Sequence, residues 1–486
     1  MGTDDMPDIR RRIHLGLINP TYLAALGLTI NLVNYRIEHD TMGEIRVPAD
    51  ALYGAQTQRA VENFPISGLR FPRSFLRALG LIKSAAARVN GRLGELPADL
   101  AAAIEKAANE VAEGKHDDQF VLDIFQTGSG TSTNMNANEV IGHLAKAHPN
   151  DDVNRGQSSN DVIPTAIHVA AAMLATEELL PAMEGLRVAL HKKSGEFNDI
   201  VKIGRTHLQD AVPMLLGQEF SGYAAQVELC AARIRQALEG IYELPLGGTA
   251  IGTGLNAVPG FAAATISEIA SQTSLPFREA ANHFEAQASK DAVSFLSGAL
   301  KTYAVALTKI ANDIRWLASG PRCGLGELKL PETQPGSSIM PGKVNPVIAE
   351  SLLMACAQVF GYDATITCCC AMGNFELNVM MPVMAYDLLE SIALLAAVSR
   401  NFDQRAIQGL QADRERASGF VEQSLAMCTV LAPVIGYEKA AAIAKEAYRT
   451  GRTVREVARE MSGIPEDRLN QLLDPRSQTG AQHGKS

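Results

Sequence analysis

The chain has 486 residues, of which 47% are hydrophobic and 20% are charged, a composition typical of a soluble globular protein with two or three domains. Its 44 basic and 53 acidic residues give a formal net charge of −9, which disfavours a protein that binds nucleic acid. Aromatic residues make up only 5% of the chain, and the abundance of Ala and Leu favours helices over strands.

Residues 1–34 form an extension whose role the sequence leaves open. Arg10–Arg12 precede a largely apolar run over Ile13–Val33, which superficially resembles a signal peptide or signal anchor. Asn19–Thr21 interrupt the run, and no clear small-residue cleavage site is present. We therefore favour a dispensable extension or an upstream start. Elsewhere no uninterrupted uncharged stretch demands a membrane span, and we expect no membrane partner.

The remaining chain is dominated by helical patterns. Residues 35–66, including 53–58, contain turn formers and β-branched residues and are predicted to form short strands and loops. From Arg73 to about residue 115, apolar residues recur at helical spacing. Longer helical patterns follow, and long helices with apolar stripes pack best in a bundle. These patterns cover about 164–196, 218–244, 258–275, 287–318, 346–371 and 378–402, with shorter helices over 416–475.

Two segments place spare hydroxyls before predicted helices. In the first, Ser129 and Thr131 precede a helix predicted at 135–144. In the second, Ser158 and Asp161 have the spacing of a capping box, and Pro164 is predicted in the first turn of the helix. Such helix N-termini are suited to carboxylate binding. The alternative is capping without a ligand, although capping explains one hydroxyl and leaves the adjacent residues free, namely Ser159 and Asn160.

Two further segments carry an imidazole and a glycine-rich turn. Thr206 and His207 lie in one of them, where a lone histidine is more often structural than catalytic. The other, residues 246–256, contains several glycines but lacks a preceding strand, a full G-x-G-x-x-G and a later acidic residue. Nucleotide binding is therefore disfavoured there.

The segment 336–350 is the most informative part of the chain. Its glycines and prolines predict a loop, and its side chains present donors and one cation to an anion, over which the loop can close. The alternative is an ordinary polar loop with a proline stop. The side chains concerned are those of Ser337, Ser338, Lys343 and Asn345, followed by Glu350 in the next predicted helix.

The cysteines predict a reduced, cytoplasmic protein. There are seven, an odd number, and none forms a C-x-x-C pair. Cys368–Cys370 are adjacent, and adjacent helix positions point in different directions, so buried thiols are a better interpretation than a metal or cluster site. No ligand spacing of His, Cys or carboxylate stands out. We expect no metal and no cofactor.

The sequence Gly-Ser-Ser-Ile-Met-Pro-Gly-Lys-Val-Asn-Pro at 336–346 resembles the signature of the fumarase/aspartase superfamily, and most of all its class II fumarate hydratases. The resemblance covers roughly residues 35–475. It implies three mostly helical domains with a long central bundle, which we place at 35–157, 158–415 and 416–486. It also implies a homotetramer whose active sites each take residues from three chains.

The resemblance further implies anti elimination of water between (S)-malate and fumarate in the tricarboxylic acid cycle. Ser337 would remove the C3 proton, and His207, held by Glu350, would position or protonate the departing water. Hydroxyls, amides, an imidazole and a lysine suit removal of a proton α to a carboxylate. The side chains implied to hold the two carboxylates of the small dicarboxylate are Ser129, Thr131, Ser158, Ser159, Asn160, Thr206, Lys343 and Asn345.

Two alternatives remain. The first is aspartate ammonia-lyase, with the same fold; His207, Ser159 and Gly342 lean against it, and Met381–Tyr386 leans toward it. The second is a non-catalytic helical assembly protein, which predicts a broken site, whereas every motif position is filled. Fold alone does not decide among them.

A second anion site is also implied by the resemblance, at His148, Asn150 and Asp151. Ala145 stands where some members have Arg, and Lys146 points elsewhere if the helix continues. Without a bidentate guanidinium we expect this site to be weak. The alternative is that His148 merely ends a helix.

Overall fold

The computed structural model describes residues 34–336 and 339–480, so most of the extension and Ser337 lie outside the described residues. Helices dominate the described chain, and its strands associate only in pairs. The helices are α1 Ala55–Asn63, α2 Arg73–Arg92, α3 Ala98–Ala112, α4 Thr131–Ala145, α5 Ser159–Leu174, α6 Leu180–Glu196, α7 Leu216–Ile241, α8 Phe261–Thr273, α9 His283–Ala288, α10 Asp291–Leu317, α11 Val347–Cys370, α12 Met381–Phe402, α13 Arg414–Gln423, α14 Ala432–Ile435, α15 Tyr437–Thr450, α16 Val454–Met461 and α17 Glu466–Leu472.

The strands are short, and most pairs are antiparallel. β1 Tyr35–Asp40 pairs with β2 Gly43–Pro48, with Tyr35 opposite Pro48. β3 Val201–Thr206 pairs with β4 Gln209–Leu215. The remaining pairs consist of two-residue strands. β5 Glu243–Leu244 and β6 Arg278–Glu279 are parallel. The antiparallel pairs are β7 Leu328–Lys329 with β10 Gln411–Ala412, and β8 Gly373–Asn374 with β9 Leu377–Asn378.

The prediction of strands and loops over 35–66 is wrong for Ala55–Asn63, which form the helix α1. The carboxylate of Glu139, on α4, accepts the backbone N–H groups of Gly54, Gln56 and Thr57 at 2.9, 2.9 and 3.1 Å. These are N–H groups that the first turn of a helix leaves without partners. A side chain more than eighty residues away thus caps α1, and no local pattern reveals such a cap.

The long helices form the central bundle, as predicted. α10 packs between α7 and α11, and α12 packs against α11 and α6. α5 and α6 make one long rod, joined through the helical turn Ala175–Leu179. Their apolar faces form one continuous core. Within it, the Tyr303 hydroxyl and Ser399 Oγ form a buried hydrogen bond of 2.7 Å.

The C-terminal helices surround a smaller core of their own. Val421, Ile443 and Leu469 belong to it, together with Ile203 of β3. The segment therefore packs against the β3–β4 hairpin. The guanidinium of Arg205, one strand position from Thr206, lies over the Phe420 ring and donates to Glu327.

Three described helical segments are long and apolar enough to cross a membrane by length and composition: Ser159–Glu196, Val347–Cys370 and Met381–Ile407. All three pack within the bundle. Only 33% of the most apolar window of Val347–Cys370 is buried. α11 therefore leaves an apolar face uncovered in the single chain.

Candidate active site

A chain of hydroxyls joins the starts of two helices. Ser129 Oγ lies 2.7 Å from Thr131 Oγ1, which lies 2.7 Å from Ser159 Oγ. Thr131 is the first residue of α4 and Ser159 the first of α5, so the two helix N-termini converge here. We call Ser129, Thr131, Ser158, Ser159 and Asn160 the donor cluster. The structure brings together two predicted segments that are nearly thirty residues apart.

The capping box at the start of α5 is confirmed. Ser158 Oγ accepts the N–H of Asn160 at 3.3 Å, and Asp161 Oδ1 accepts the N–H of Ser158 at 2.9 Å. The placement of Pro164 in the first turn is wrong, because α5 begins at Ser159 and Pro164 is its sixth residue. A proline has no N–H, so the carbonyl of Asn160 receives no helical hydrogen bond from that position.

Asp161 also ties the glycine-rich turn to the donor cluster. Its Oδ2 accepts the N–H groups of Gly247 and Thr249 at 2.9 and 3.0 Å. Asn160 Nδ2 donates to the Ala250 carbonyl at 2.8 Å. Burial raises the pKa of Asp161 to about 6, while its three backbone hydrogen bonds act in the opposite direction. The capping-box spacing revealed the contact of Asp161 with Ser158, and no local pattern indicated its contacts with Gly247 and Thr249.

A close backbone contact places the donor cluster beside α12. The Gly128 carbonyl accepts the N–H of Met381 at 3.0 Å. A Cβ on Gly128 would lie 1.7 Å from the Val379 carbonyl oxygen, so only glycine fits. This contact holds the hydroxyl-bearing turn against the start of a bundle helix.

His207 lies at the tip of an exposed hairpin. His207 and Leu208 have φ of 56° and 58° and form the two-residue turn between β3 and β4. Two positive φ values match the turn type that suits tight hairpins. Thr206 and His207 are both exposed, as is Glu350 in the first turn of α11. Within the described part of the chain, no hydrogen bond or ion pair joins His207 to Glu350.

The signature loop folds back on itself. Asn345 Nδ2 donates to the Gly336 carbonyl at 2.5 Å, and a Cβ on Gly336 would lie 1.8 Å from the Lys343 carbonyl oxygen. One N–H of Asn345 is therefore used within the loop. The Lys343 side chain is exposed and makes no ion pair with any described residue. The roles predicted for these residues remain predictions.

His148 caps a helical turn rather than ending α4. Its Nδ1 accepts the N–H of Asp151 at 3.0 Å, and its own N–H donates to Asp152 at 2.8 Å. α4 has already ended at Ala145, and Lys146 adopts a left-handed conformation with φ of 54°. The ring nitrogen also lies 3.2 Å from the Asp151 carboxylate. Two neighbouring carboxylates oppose binding of a dianion, in keeping with the weak site that we predict.

Two models of known protein families match the chain. A family model described as lyase matches residues 43–361, and one described as fumarase C C-terminus matches residues 427–480. The chain therefore belongs to the lyase family that the first model describes.

Individual known proteins are also similar to the chain over most of its length. The chain is 52% identical over 457 residues to the class II fumarate hydratase of Ralstonia nicotianae, covering 92% of this chain and 99% of the relative. It is 55% identical over 443 residues to that of Mycobacterium tuberculosis, covering 90% and 93%. The class II fumarase structure from Schistosoma mansoni superposes with a TM-score of 0.91 at 40% identity, covering 93% of this chain and all of that one. The chain belongs to the class II fumarate hydratase family.

Proposed function

We propose that this chain is a hydro-lyase that interconverts (S)-malate and fumarate, the step of the tricarboxylic acid cycle that adds or removes water. Its family membership supports this reaction. The observation that carries the proposal is the convergence of the α4 and α5 N-termini at the donor cluster. Helix N-termini and unpaired hydroxyl protons bind carboxylates without a metal.

The donor cluster would hold the substrate carboxylates in fixed positions. Ser129, Thr131 and Ser159 already hydrogen-bond to one another, so few rotamers need to be frozen when the dicarboxylate binds. Thr206, Lys343 and Asn345 would complete the dicarboxylate site. A cation and fixed donors facing the substrate stabilise the charge that develops as the proton is removed.

Ser337 is the proposed base and His207, paired with Glu350, the group that positions or protonates the departing water. A serine hydroxyl is a weak base in water, so the signature loop must close over it and exclude solvent. The exposed ammonium of Lys343 lies on the same loop and would favour the alkoxide. A carboxylate beside an imidazole orients the ring and raises its basicity.

We further propose a cytoplasmic homotetramer with shared active sites. His207 and Glu350 are exposed and unpaired with each other in the single chain. Large apolar side chains are also exposed on the bundle helices, which supports burial against other subunits. They are Leu229 on α7, Phe295, Val305 and Trp316 on α10, and Met354 on α11.

The test is an assay with malate and aspartate offered separately. With malate, absorbance in the fumarate band should rise without added nucleotide or metal. With aspartate, little change is expected, because His207, Ser159 and Gly342 favour a hydratase over an ammonia-lyase. Strong ammonia release from aspartate would overturn the assignment.

A further inference from the structure

A lysine buried beneath the donor cluster has no part in the mechanism above. Lys83 lies on the inner face of α2 and is fully buried. Its Nζ donates to Asn154 Oδ1 at 2.9 Å and to Gln157 Oε1 at 3.0 Å. Gln157 is the residue immediately before Ser158. The ammonium therefore reaches the backbone of the donor cluster through a single side chain.

Asn154 extends this contact to α4. Its Oδ1 also accepts from the side chains of Asn134 and Asn138, each at 3.2 Å. Its Nδ2 donates to the Gln157 carbonyl at 3.1 Å. The segment that leads into α5 is thereby fastened both to α2, through Lys83, and to α4, through the two asparagines.

The burial of Lys83 is not explained by a gain in the stability of the fold. Burial lowers the pKa of Lys83 to about 7, and the opposite charge of Asp161 acts against that shift. A buried ammonium costs folding free energy that an apolar side chain of the same length would not. Even as a neutral amine, however, Lys83 keeps two N–H groups and can bridge both amide oxygens. The bridge therefore persists in either protonation state.

We propose that Lys83 is a positioning residue for substrate binding: by holding Asn154 and Gln157, it fixes the turn that carries Ser158, Ser159 and Asn160 in the geometry that receives a dicarboxylate. The inference rests on the proposed function of the donor cluster. Without Lys83, Gln157 Oε1 loses its donor, Asn154 Oδ1 keeps only the donors from Asn134 and Asn138, and the turn can rearrange. Each binding event must then pay the cost of ordering the turn.

The test compares Lys83→Met with Lys193→Met. Lys193 is also buried and donates to Glu196 and to the Leu410 carbonyl, but it lies on α6, away from the donor cluster. Lys83→Met should raise the KM for malate and the inhibition constant of succinate, an unreactive dicarboxylate, about 10-fold, a loss of about 1.4 kcal/mol. Its kcat should stay within about threefold. Lys193→Met should leave all three constants unchanged, although both variants lower the melting temperature.

A second variant keeps the proposal falsifiable if Lys83→Met does not fold. Gln157→Leu removes the acceptor through which Lys83 acts and should raise the same constants by a similar factor. The double variant should lose little more than the worse single variant. An unchanged KM in either single variant, or fully additive losses in the double variant, would overturn the role of Lys83. Failure of the wild type to turn over malate would instead contradict the proposed function, and succinate binding by calorimetry would still test Lys83.

Discussion

The donor cluster and the segments that carry the proposed catalytic groups are built in opposite ways. Ser129 and Asp161 are buried, and the turn that precedes α5 is fastened on every side by hydrogen bonds within one chain. His207 stands at the tip of a hairpin, and Glu350 and Lys343 are exposed. The donor cluster is held together within the single chain, whereas the side chains of His207, Glu350 and Lys343 are exposed.

This difference distinguishes the groups proposed to bind the substrate from those proposed to carry out the reaction. Hydrogen bonds within the single chain already hold the donor cluster, which we propose binds the substrate carboxylates together with Thr206, Lys343 and Asn345. His207 and Glu350, which we propose act on the departing water, are exposed in the single chain, as are large apolar residues on α7, α10 and α11. Variants of the two regions should therefore behave differently.

The largest effect is expected on the catalytic side, at Ser337. Ser337→Ala removes the proposed base while keeping the loop length, and turnover should fall about 10²–10⁴-fold. The melting temperature and the oligomeric state, measured by calorimetry and light scattering, should stay unchanged. Retention of most activity would reassign the base, with His207 as the first replacement.

A smaller effect, in KM rather than kcat, is expected in the donor cluster. Thr131→Val keeps the side-chain shape but removes the hydroxyl between Ser129 and Ser159. A hydrogen bond to a charged group is worth about 1.5–3 kcal/mol, so the KM for malate should rise about 10–100-fold. Ser132→Ala is the matched control, since Ser132 Oγ bonds instead to Thr127 Oγ1 at 2.9 Å. Equal KM changes in the two variants would contradict a specific role for the donor cluster.

The smallest effect is expected at His148, outside both regions. His148→Asn should leave malate turnover within about twofold of wild type, because the ring caps the turn Pro149–Val153. Crystals soaked with malate or citrate provide the second readout. Well-ordered density at His148 and Asn150, at concentrations that just fill the main site, would show that the secondary site is not weak.

Sequence patterns predicted the features that depend on near neighbours along the chain. The long helices follow from apolar spacing, and the capping box follows from the three-residue separation of Ser158 and Asp161. Patterns failed where a distant side chain decides the structure. Glu139 caps α1 from another helix, and the second oxygen of Asp161 clamps the glycine-rich turn.

Lys83 illustrates the same limit. It directly follows Ile82, one of the apolar positions from which α2 was predicted, and a lysine there reads as a solvated residue beside the core. Its partners, Asn154 and Gln157, are some seventy residues further on and are amides without a motif of their own. The predicted pairing of His207 with Glu350 is a different case, because both side chains are exposed and no hydrogen bond or ion pair joins them within the described single chain.

The most direct test of the account is therefore complementation between two inactive variants, His207→Asn and Glu350→Gln. If each active site takes these residues from different chains, hybrids made by co-expression should contain intact sites, about one in four for random mixing. Malate turnover should then recover to roughly that fraction of the wild-type rate, well above either parent. Hybrid tetramers that stay as inactive as both parents would contradict shared active sites.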